Sequence, residues 1–438
     1  MAFRQFEQPE LSRRSLLRGG LLVGAGAALG GFPLGRMAFA ADPTRWTNVA
    51  ALVSSYVESR KVANMVATLG WGQKDPEFIA AGTLAVGVSA QAGPDSLYRI
   101  YSMTKPITGM ATMQLIDDGK LGLDQPLAEI LPQFEHMMVQ KTYDGPITDL
   151  EPAVRPITIR NLLTHTAGLG YTIIQKGPIK TAYEDAGLLP GEFTKLPIGA
   201  QFWRGTPVKS LALFADGLAT MPLVAQPGTR WSYSVALDLL GRVIEVVSGR
   251  PFDAFLKERI FDPAGMTSTF FQVPASEVGR LTTNYAVLNG TLLPIDPAAQ
   301  SVFLDPPAFP MGGAGLVSSA RDYDRFLRML LGYGKIDGKR VLGELAVRVG
   351  TSNLLPDGVD TSGTFADGSG FGAGGSVGAG LRAGTYGWGG AAGTVAFADF
   401  RRNLRGNLMT QYMPPEVYSL NDEFDAAIGN DLRAMAGK

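Results

Sequence analysis

No stretch of this chain limits its fold as much as Tyr98-Arg99-Ile100-Tyr101-Ser102-Met103-Thr104-Lys105-Pro106-Ile107. It reads as a strand or loop that runs into a helix opening at Ser102. Ile107, Met110, Ala111, Met113 and Ile116 recur at helical spacing, which predicts a mostly buried stripe, and Asp118-Gly119 supplies the stop, with glycine as the carboxyl-terminal cap. Pro106 is tolerated in the first turn because the amides there have no intrahelical partner to lose. Residues three apart on a helix share a face, with Cβ atoms roughly 5 to 6 Å apart, so the Lys105 ammonium can fold back onto the Ser102 hydroxyl. A nucleophile would then sit beside a possible base, at a helix amino end whose free amides and partial positive charge favour a forming oxyanion. The same tetrapeptide also describes an ordinary helix start with a solvated lysine, so other parts of the chain must decide between the two.

Composition narrows the chemistry. With 438 residues, 45% of them hydrophobic, the chain can bury a full core in two or three domain-sized units, contiguous or interleaved. The 39 basic and 40 acidic residues balance, which argues against a nucleic-acid or anionic-membrane partner. Cysteine is absent and there are only 2 histidines, which leaves no disulfide framework, no thiolate and little from which to build a zinc centre. A mechanism without metal or cofactor is the expectation. At the amino terminus, Ser12-Arg13-Arg14-Ser15-Leu16-Leu17-Arg18 precedes an uncharged, glycine-rich stretch from Gly19 to Gly35 and then Ala38-Phe39-Ala40. This pattern resembles a twin-arginine export signal over residues 1–40, and its glycines make it a poor membrane anchor. The expectation is a periplasmic or secreted protein with no stable membrane insertion of the mature chain.

Downstream of the signal, Trp46, Val49, Leu52, Val53 and Val57 predict an amphipathic helix from Trp46 to Lys61. Strands follow at Met65 to Trp71 and Phe78 to Val88, separated by turn residues. Ile157 to Leu169 reads as a short helix closed by a glycine turn. Its His165 admits a Ser-His-Asp triad with Ser102 or, more simply, a histidine bonding backbone at a helix end; His136 lies in a Met-rich stretch. Tyr233, in Pro227-Gly228-Thr229-Arg230-Trp231-Ser232-Tyr233-Ser234-Val235, stands where a loop meets a long apolar-periodic helix ending at Gly249. It can carry protons if a cation such as Lys105 lies near, or merely pack at a domain seam. Thr385 to Thr394, with Trp388-Gly389-Gly390, opens a strand-rich run through Val395 to Asp399 and Leu408 to Tyr412. Its glycines mark either close approach of a substrate or a tight sheet corner. A final helix is expected from about Leu420 to Ala436.

Ser102-x-x-Lys105, Tyr233-Ser234 and Trp388-Gly389-Gly390, in that order, together with the Leu162-to-Leu169 segment, resemble the serine β-lactamase and penicillin-recognising family. The likeness is closest to the class C β-lactamase-like esterases, the family VIII carboxylesterases, and covers Trp46 to Tyr412. It implies an α+β, β-lactamase/transpeptidase-like fold: an antiparallel sheet flanked by helices, plus an inserted, mainly helical domain. Residues 41–125 and 325–438 would form the α/β part and 126–324 the helical part, with the site in the cleft between them. The resemblance implies Ser102 as the acylated nucleophile and Lys105 and Tyr233 sharing the base and acid roles. It also implies the backbone amides of Ser102 and Ala391 as the oxyanion hole, and Trp388, Gly389, Gly390 and Val235 beside the substrate. His165 matches a segment without an assigned catalytic role.

Two departures from the family pattern matter. β-Lactamases and cell-wall peptidases open the third motif with lysine or histidine, where this chain has Trp388, and place asparagine two residues after the tyrosine, where it has Val235. Both weaken β-lactamase and peptidase function and leave ester hydrolysis intact, since acylation needs only the nucleophile, the base and the oxyanion donors. The reading is therefore an exported serine hydrolase acting on a small-molecule ester. A β-lactamase, a D-amino-acid peptidase or an acyltransferase of the same mechanism is the alternative, and a non-catalytic cell-wall- or partner-binding protein is the alternative of another class. Gly374-Gly375-Ser376-Val377-Gly378 fits the nucleophile elbow of α/β-hydrolases, but no strong strand precedes it and no histidine follows, so Ser376 is set aside.

Overall fold

The computed structural model describes residues 45–437, except 190, 192 and 198–203. The segment 1–40, read above as an export signal, lies outside the described residues. The first helix, α1, spans Thr47–Glu58 and is followed by the hairpin β1 (Asn64–Trp71) and β2 (Glu77–Gly82). The strand expected to reach Val88 stops at Gly82, where the backbone turns through a positive φ of 86°. Next come β3 (Leu97–Arg99), a 3-10 turn at Tyr101–Met103 and α2 (Thr104–Asp117). The middle of the chain supplies α3 (Ile159–Leu163), α4 (Ala236–Ser248), the hairpin β4 (Asn284–Leu288) and β5 (Thr291–Asp296), β6 (Val317–Ser319) and α5 (Ala320–Leu331). The carboxyl-terminal part contributes β7 (Gly370–Phe371), β8 (Ser376–Val377), β9 (Thr385–Gly389), β10 (Val395–Asp399) and β11 (Leu404–Met409), then α6 (Leu420–Ala436). The last strand lies upstream of the expected Leu408 to Tyr412, because Tyr412–Met413 leaves the sheet to pair in parallel with β4.

Seven strands form one antiparallel sheet in the order β7-β8-β9-β10-β11-β1-β2, so an early hairpin is joined to five strands from after residue 369. Alternation along β1 sorts the layers. Met65, Ala67 and Leu69 join the core that includes Val53 of α1 and Phe424 of α6, while Val66 joins the core that includes Ile107 of α2 and Phe326 of α5. The amino end of α1 has no cap of its own. Asp431 of α6 supplies it, accepting from the amides of Asn48 at 2.9 Å and Val49 at 3.1 Å. On the other face Arg405 of β11 grips Asp324 of α5 through two nitrogens, at 2.8 and 3.0 Å, and both side chains are buried. The junction expected at 324/325 falls inside α5.

α2 is the axis of the molecule. It was expected to bury one stripe; instead every residue from Thr104 to Leu115 is buried. The polar stripe survives burial because threonine hydroxyls can bond to main chain: Thr108 donates to the Gly312 carbonyl at 2.7 Å, Thr112 donates to the Thr108 carbonyl at 3.0 Å, and Thr104 accepts from the Leu316 amide at 3.2 Å. The glycine-rich run after residue 368 packs directly on this helix. A Cβ on Gly109 would stand 2.0 Å from the Ala373 carbonyl oxygen, so only glycine admits that approach. The α-helix proper starts at Thr104 and not at Ser102: Tyr101–Met103 form a 3-10 turn, and Tyr101 at its head holds a left-handed φ of 40°.

Candidate functional site

Ser102 occupies the 3-10 turn between β3 and α2 and is half-buried, while Lys105 in the first turn of α2 has no exposed surface. The lysine folds back as the spacing predicted: its Nζ donates to the Ser102 Oγ at 3.2 Å and to the Gly313 carbonyl at 2.7 Å. Tyr233 comes from just before α4, and its hydroxyl donates to the same Ser102 Oγ at 2.8 Å. Its ring covers the lysine, with Nζ 4.5 Å from the centroid. Trp388, on β9, donates its Nε1 hydrogen to the Tyr233 hydroxyl oxygen at 3.2 Å, and the two rings stand 5.8 Å apart. Lys105 and Tyr233 thus meet at the Ser102 Oγ, and Trp388 reaches the tyrosine oxygen behind it, so three distant segments supply the cluster.

The remaining expected residues divide. Gly390 abuts the strand that leads to Ser102: an added Cβ would lie 2.4 Å from the Ile100 carbonyl oxygen. Its missing side chain is required by the protein's own backbone and not by a substrate, and the tight contact sets Ala391 beside the serine turn. No hydrogen-bond partner is seen among the described residues for the amides of Ser102 and Ala391. Gly389 is more open, with the Thr394 carbonyl oxygen 3.3 Å from a would-be Cβ. Val235 departs from expectation. Its side chain has no exposed surface and belongs to the core, and its amide bonds to the Gly170 carbonyl, so it packs the base of α4 and offers nothing to a ligand. Ser376 sits on the two-residue β8, opposite Gly387 of β9, and its hydroxyl bonds to Ser369 and to none of Ser102, Lys105, Tyr233 or Trp388.

Several neighbours had not been read from the sequence as part of the site. Asp238, in the first turn of α4, is buried; its Oδ1 accepts the Gly313 amide at 2.8 Å, and its Oδ2 finds no partner among the described residues. Burial pushes its carboxyl up to about 6, against the pull of the Lys105 charge and the Gly313 amide. Gly313 therefore links the carboxylate and the lysine through a single residue, its amide facing Asp238 and its carbonyl facing Lys105. The visible signal was an acidic residue inside the apolar run Val235-Ala236-Leu237-Asp238-Leu239-Leu240. Tyr171 lies 5.8 Å from the Lys105 Nζ and 5.6 Å from the Tyr233 ring, and burial drives its phenol well above the usual range.

His165 packs 4.8 Å from the Tyr233 ring, and burial, reinforced by the Lys105 charge, holds the imidazole well below the usual histidine range. Its Nδ1 accepts the Ser234 amide at 3.2 Å, which orders the residue after Tyr233. This agrees with the simpler of the two readings of His165. Trp231 stacks on Tyr233 at 5.9 Å, so the phenol is held between aromatic surfaces. Among the described residues no group of three or more His, Cys, Asp or Glu could hold a metal ion.

An antiparallel sheet covered by helices, with serine, lysine and tyrosine converging at the edge of a buried central helix, defines the class. The chain belongs to the β-lactamase family, whose sequence model, Beta-lactamase, matches residues 49–430. A Mycobacterium tuberculosis protein is 40% identical over 263 residues, 60% of this chain and 61% of that protein. Esterase EstB of Burkholderia gladioli is 32% identical over 252 residues, 54% of this chain and 57% of the esterase. The matched stretches thus span about six-tenths of the length of these curated relatives. Among solved structures, EstCE1, described as a hydrolase with promiscuous acyltransferase activity, superposes with a TM-score of 0.71 at 25% identity, covering 88% of this chain and 99% of that one. Simvastatin synthase from Aspergillus terreus shares the fold, with a TM-score of 0.71 at 22% identity over 89% of this chain and 98% of its own.

Proposed function

We propose that this protein is a serine hydrolase that cleaves carboxylic esters of small molecules through an acyl-enzyme on Ser102. The observation that carries the reading is the convergence of Lys105 Nζ, at 3.2 Å, and Tyr233 hydroxyl, at 2.8 Å, on the Ser102 Oγ. In acylation the Oγ attacks the ester carbonyl carbon while its proton passes to the Lys105–Tyr233 pair. The carbonyl oxygen gathers negative charge facing the amides of Ser102 and Ala391. The bond to the alcohol then breaks as Tyr233 returns a proton to the departing oxygen. In deacylation water attacks the acyl carbon as the same pair takes its proton, and the acyl–Oγ bond breaks as the pair hands that proton to Oγ, giving the acid and the Ser102 hydroxyl. Trp388 donates to the phenol that does this work. It stands where the related β-lactamases present a cation, which favours an uncharged ester over a carboxylate-bearing lactam.

Rates with nitrophenyl esters of rising chain length, nitrocefin and D-alanyl peptides test the reading. Turnover of the esters, with fluorophosphonate labelling that disappears in Ser102→Ala, is expected; labelling that survives that substitution would refute it. A second reading, transfer of the acyl group to an alcohol, is favoured by the likeness to EstCE1. It predicts a new ester when an alcohol is added to a reaction in water. We further propose export through residues 1–40. Replacing Arg13 and Arg14 by lysine should then leave the protein inside the cell.

A further inference from the structure

The residue before the nucleophile is strained. Tyr101 holds a φ of 40°, a region that side chains with a Cβ rarely enter, and it does so one position before Ser102. β3 has ended at Arg99 and Ile100 is already in the right-handed region, so Tyr101 is the one left-handed residue between the strand and Ser102, and its peptide carries the Ser102 amide. A strained turn persists only where its surroundings impose it, and here the polar contacts to Arg99 and Tyr101 gather at one end of the β4–β5 hairpin.

At the open end of the β4–β5 hairpin Asn284 pairs with Asp296, and the ladder is irregular there, with a bulge between Asn284 and Tyr285. Each member of that pair reaches across to the serine strand. The Asp296 Oδ2 accepts the Arg99 Nε at 2.7 Å, and the Asp296 carbonyl accepts a second guanidinium nitrogen at 3.1 Å. The Thr282 carbonyl takes the third, and both charged side chains are fully buried. Asn284 donates its Nδ2 hydrogen to the Tyr101 hydroxyl at 3.2 Å, and its Oδ1 is held in turn by the Tyr285 amide at 3.0 Å. Phe303 closes the socket, edge-on to the Tyr101 ring at 6.2 Å.

We infer that the bulged end of the β4–β5 hairpin is a positioning device for the nucleophile: Asp296 holds Arg99, Asn284 holds Tyr101, and together they impose the left-handed turn that aims the Ser102 amide at the substrate oxygen. Asn284 and Tyr101 are positioning residues that touch no substrate. The inference rests on the hydrolase reading above, and it assigns the oxyanion donor to a clamp some two hundred residues away in sequence, as the separation of 183 between Asn284 and Tyr101 shows.

The test uses the full-length protein with Tyr101→Phe, which removes only the hydroxyl, and Asn284→Ala. A nitrophenyl ester reports kcat and KM. An aryl trifluoromethyl ketone, which adds to Ser102 and places an alkoxide in the oxyanion position, reports affinity for that charge. Fluorophosphonate titration counts competent sites. Each variant should lower kcat about tenfold, short of the roughly hundredfold that a one-ångström misplacement can cost, with KM changed less than about twofold. Ketone affinity should fall by the same factor as kcat, per titrated site. A merely structural clamp would lower the melting temperature while leaving kcat and ketone affinity per site as in the wild type, and that result overturns the inference. Wild-type protein that neither turns over esters nor labels at Ser102 would instead overturn the hydrolase reading, and this inference with it.

Discussion

Replacing Trp388 by Phe asks what the third motif does here. The change keeps an aromatic ring near Tyr233 but trades the indole for a smaller ring, and with it removes the Nε1 donor that now lies 3.2 Å from the phenolic oxygen. If Tyr233 stays neutral through the reaction and only donates, that bond is an ordinary one, worth about 0.5–1.5 kcal/mol, and kcat/KM falls by at most about tenfold. If the phenol oxygen gathers negative charge while taking the serine proton, the bond becomes charge-assisted, worth about 1.5–3 kcal/mol, and the loss grows to between about ten- and a hundredfold. Steady-state rates with nitrophenyl acetate, beside the amplitude of the nitrophenol burst, separate acylation from deacylation. A variant that folds with an unchanged melting temperature and retains kcat/KM within about twofold of the wild type would refute the claim that the indole polarises the phenol at all.

Lys105→Ala should abolish acylation without unfolding the protein, and Lys105→Arg should fail as well, because a guanidinium cannot give up its proton at neutral pH; burst experiments on folded protein check both. Asp238 binds its proton more tightly in the folded chain, its carboxyl rising from 3.8 to about 6. Its contribution to stability is therefore complete below the lower value and is lost as pH rises through the higher one, a change of roughly 3 kcal/mol. Urea denaturation across that window should show the decline, and Asp238→Asn should flatten it. The same substitution should remove an acid limb near that pH from kcat/KM, since protonating Asp238 takes away the anion that Gly313 alone separates from Lys105. Asp431→Ala uncaps α1 and should cost about 1–2 kcal/mol in urea melts, with kcat per folded molecule unchanged.

The local pieces of the site were legible wherever chemistry follows from short spacing. Ser102 and Lys105 lie on one helical turn, so three residues of separation sufficed to bring them together. Tyr233 and Trp388 needed the order of motifs, because nothing within their own stretches says which oxygen they reach. Asp238 and Gly313 escaped because their partnership runs through a peptide 75 residues away in sequence. Val235 was misplaced for a related reason: a position in a motif does not reveal whether a side chain turns toward a cleft or toward the core. Helix limits from apolar periodicity held well for α1, α4 and α6. The start of α2 did not, since the left-handed Tyr101 carries no signal in a residue type that normally avoids that conformation.

The seam between β11 and β1 joins Val66 to Met409, far apart along the described residues. During synthesis β1 and β2 must wait, one edge bare, until nearly the whole chain has left the ribosome, and only then can β11 dock and α6 seal α1. Loss of even the last few dozen residues would strip away α6, the cap on α1 and part of the core beneath them, so a truncated product is expected to aggregate and not to linger as a partly active enzyme.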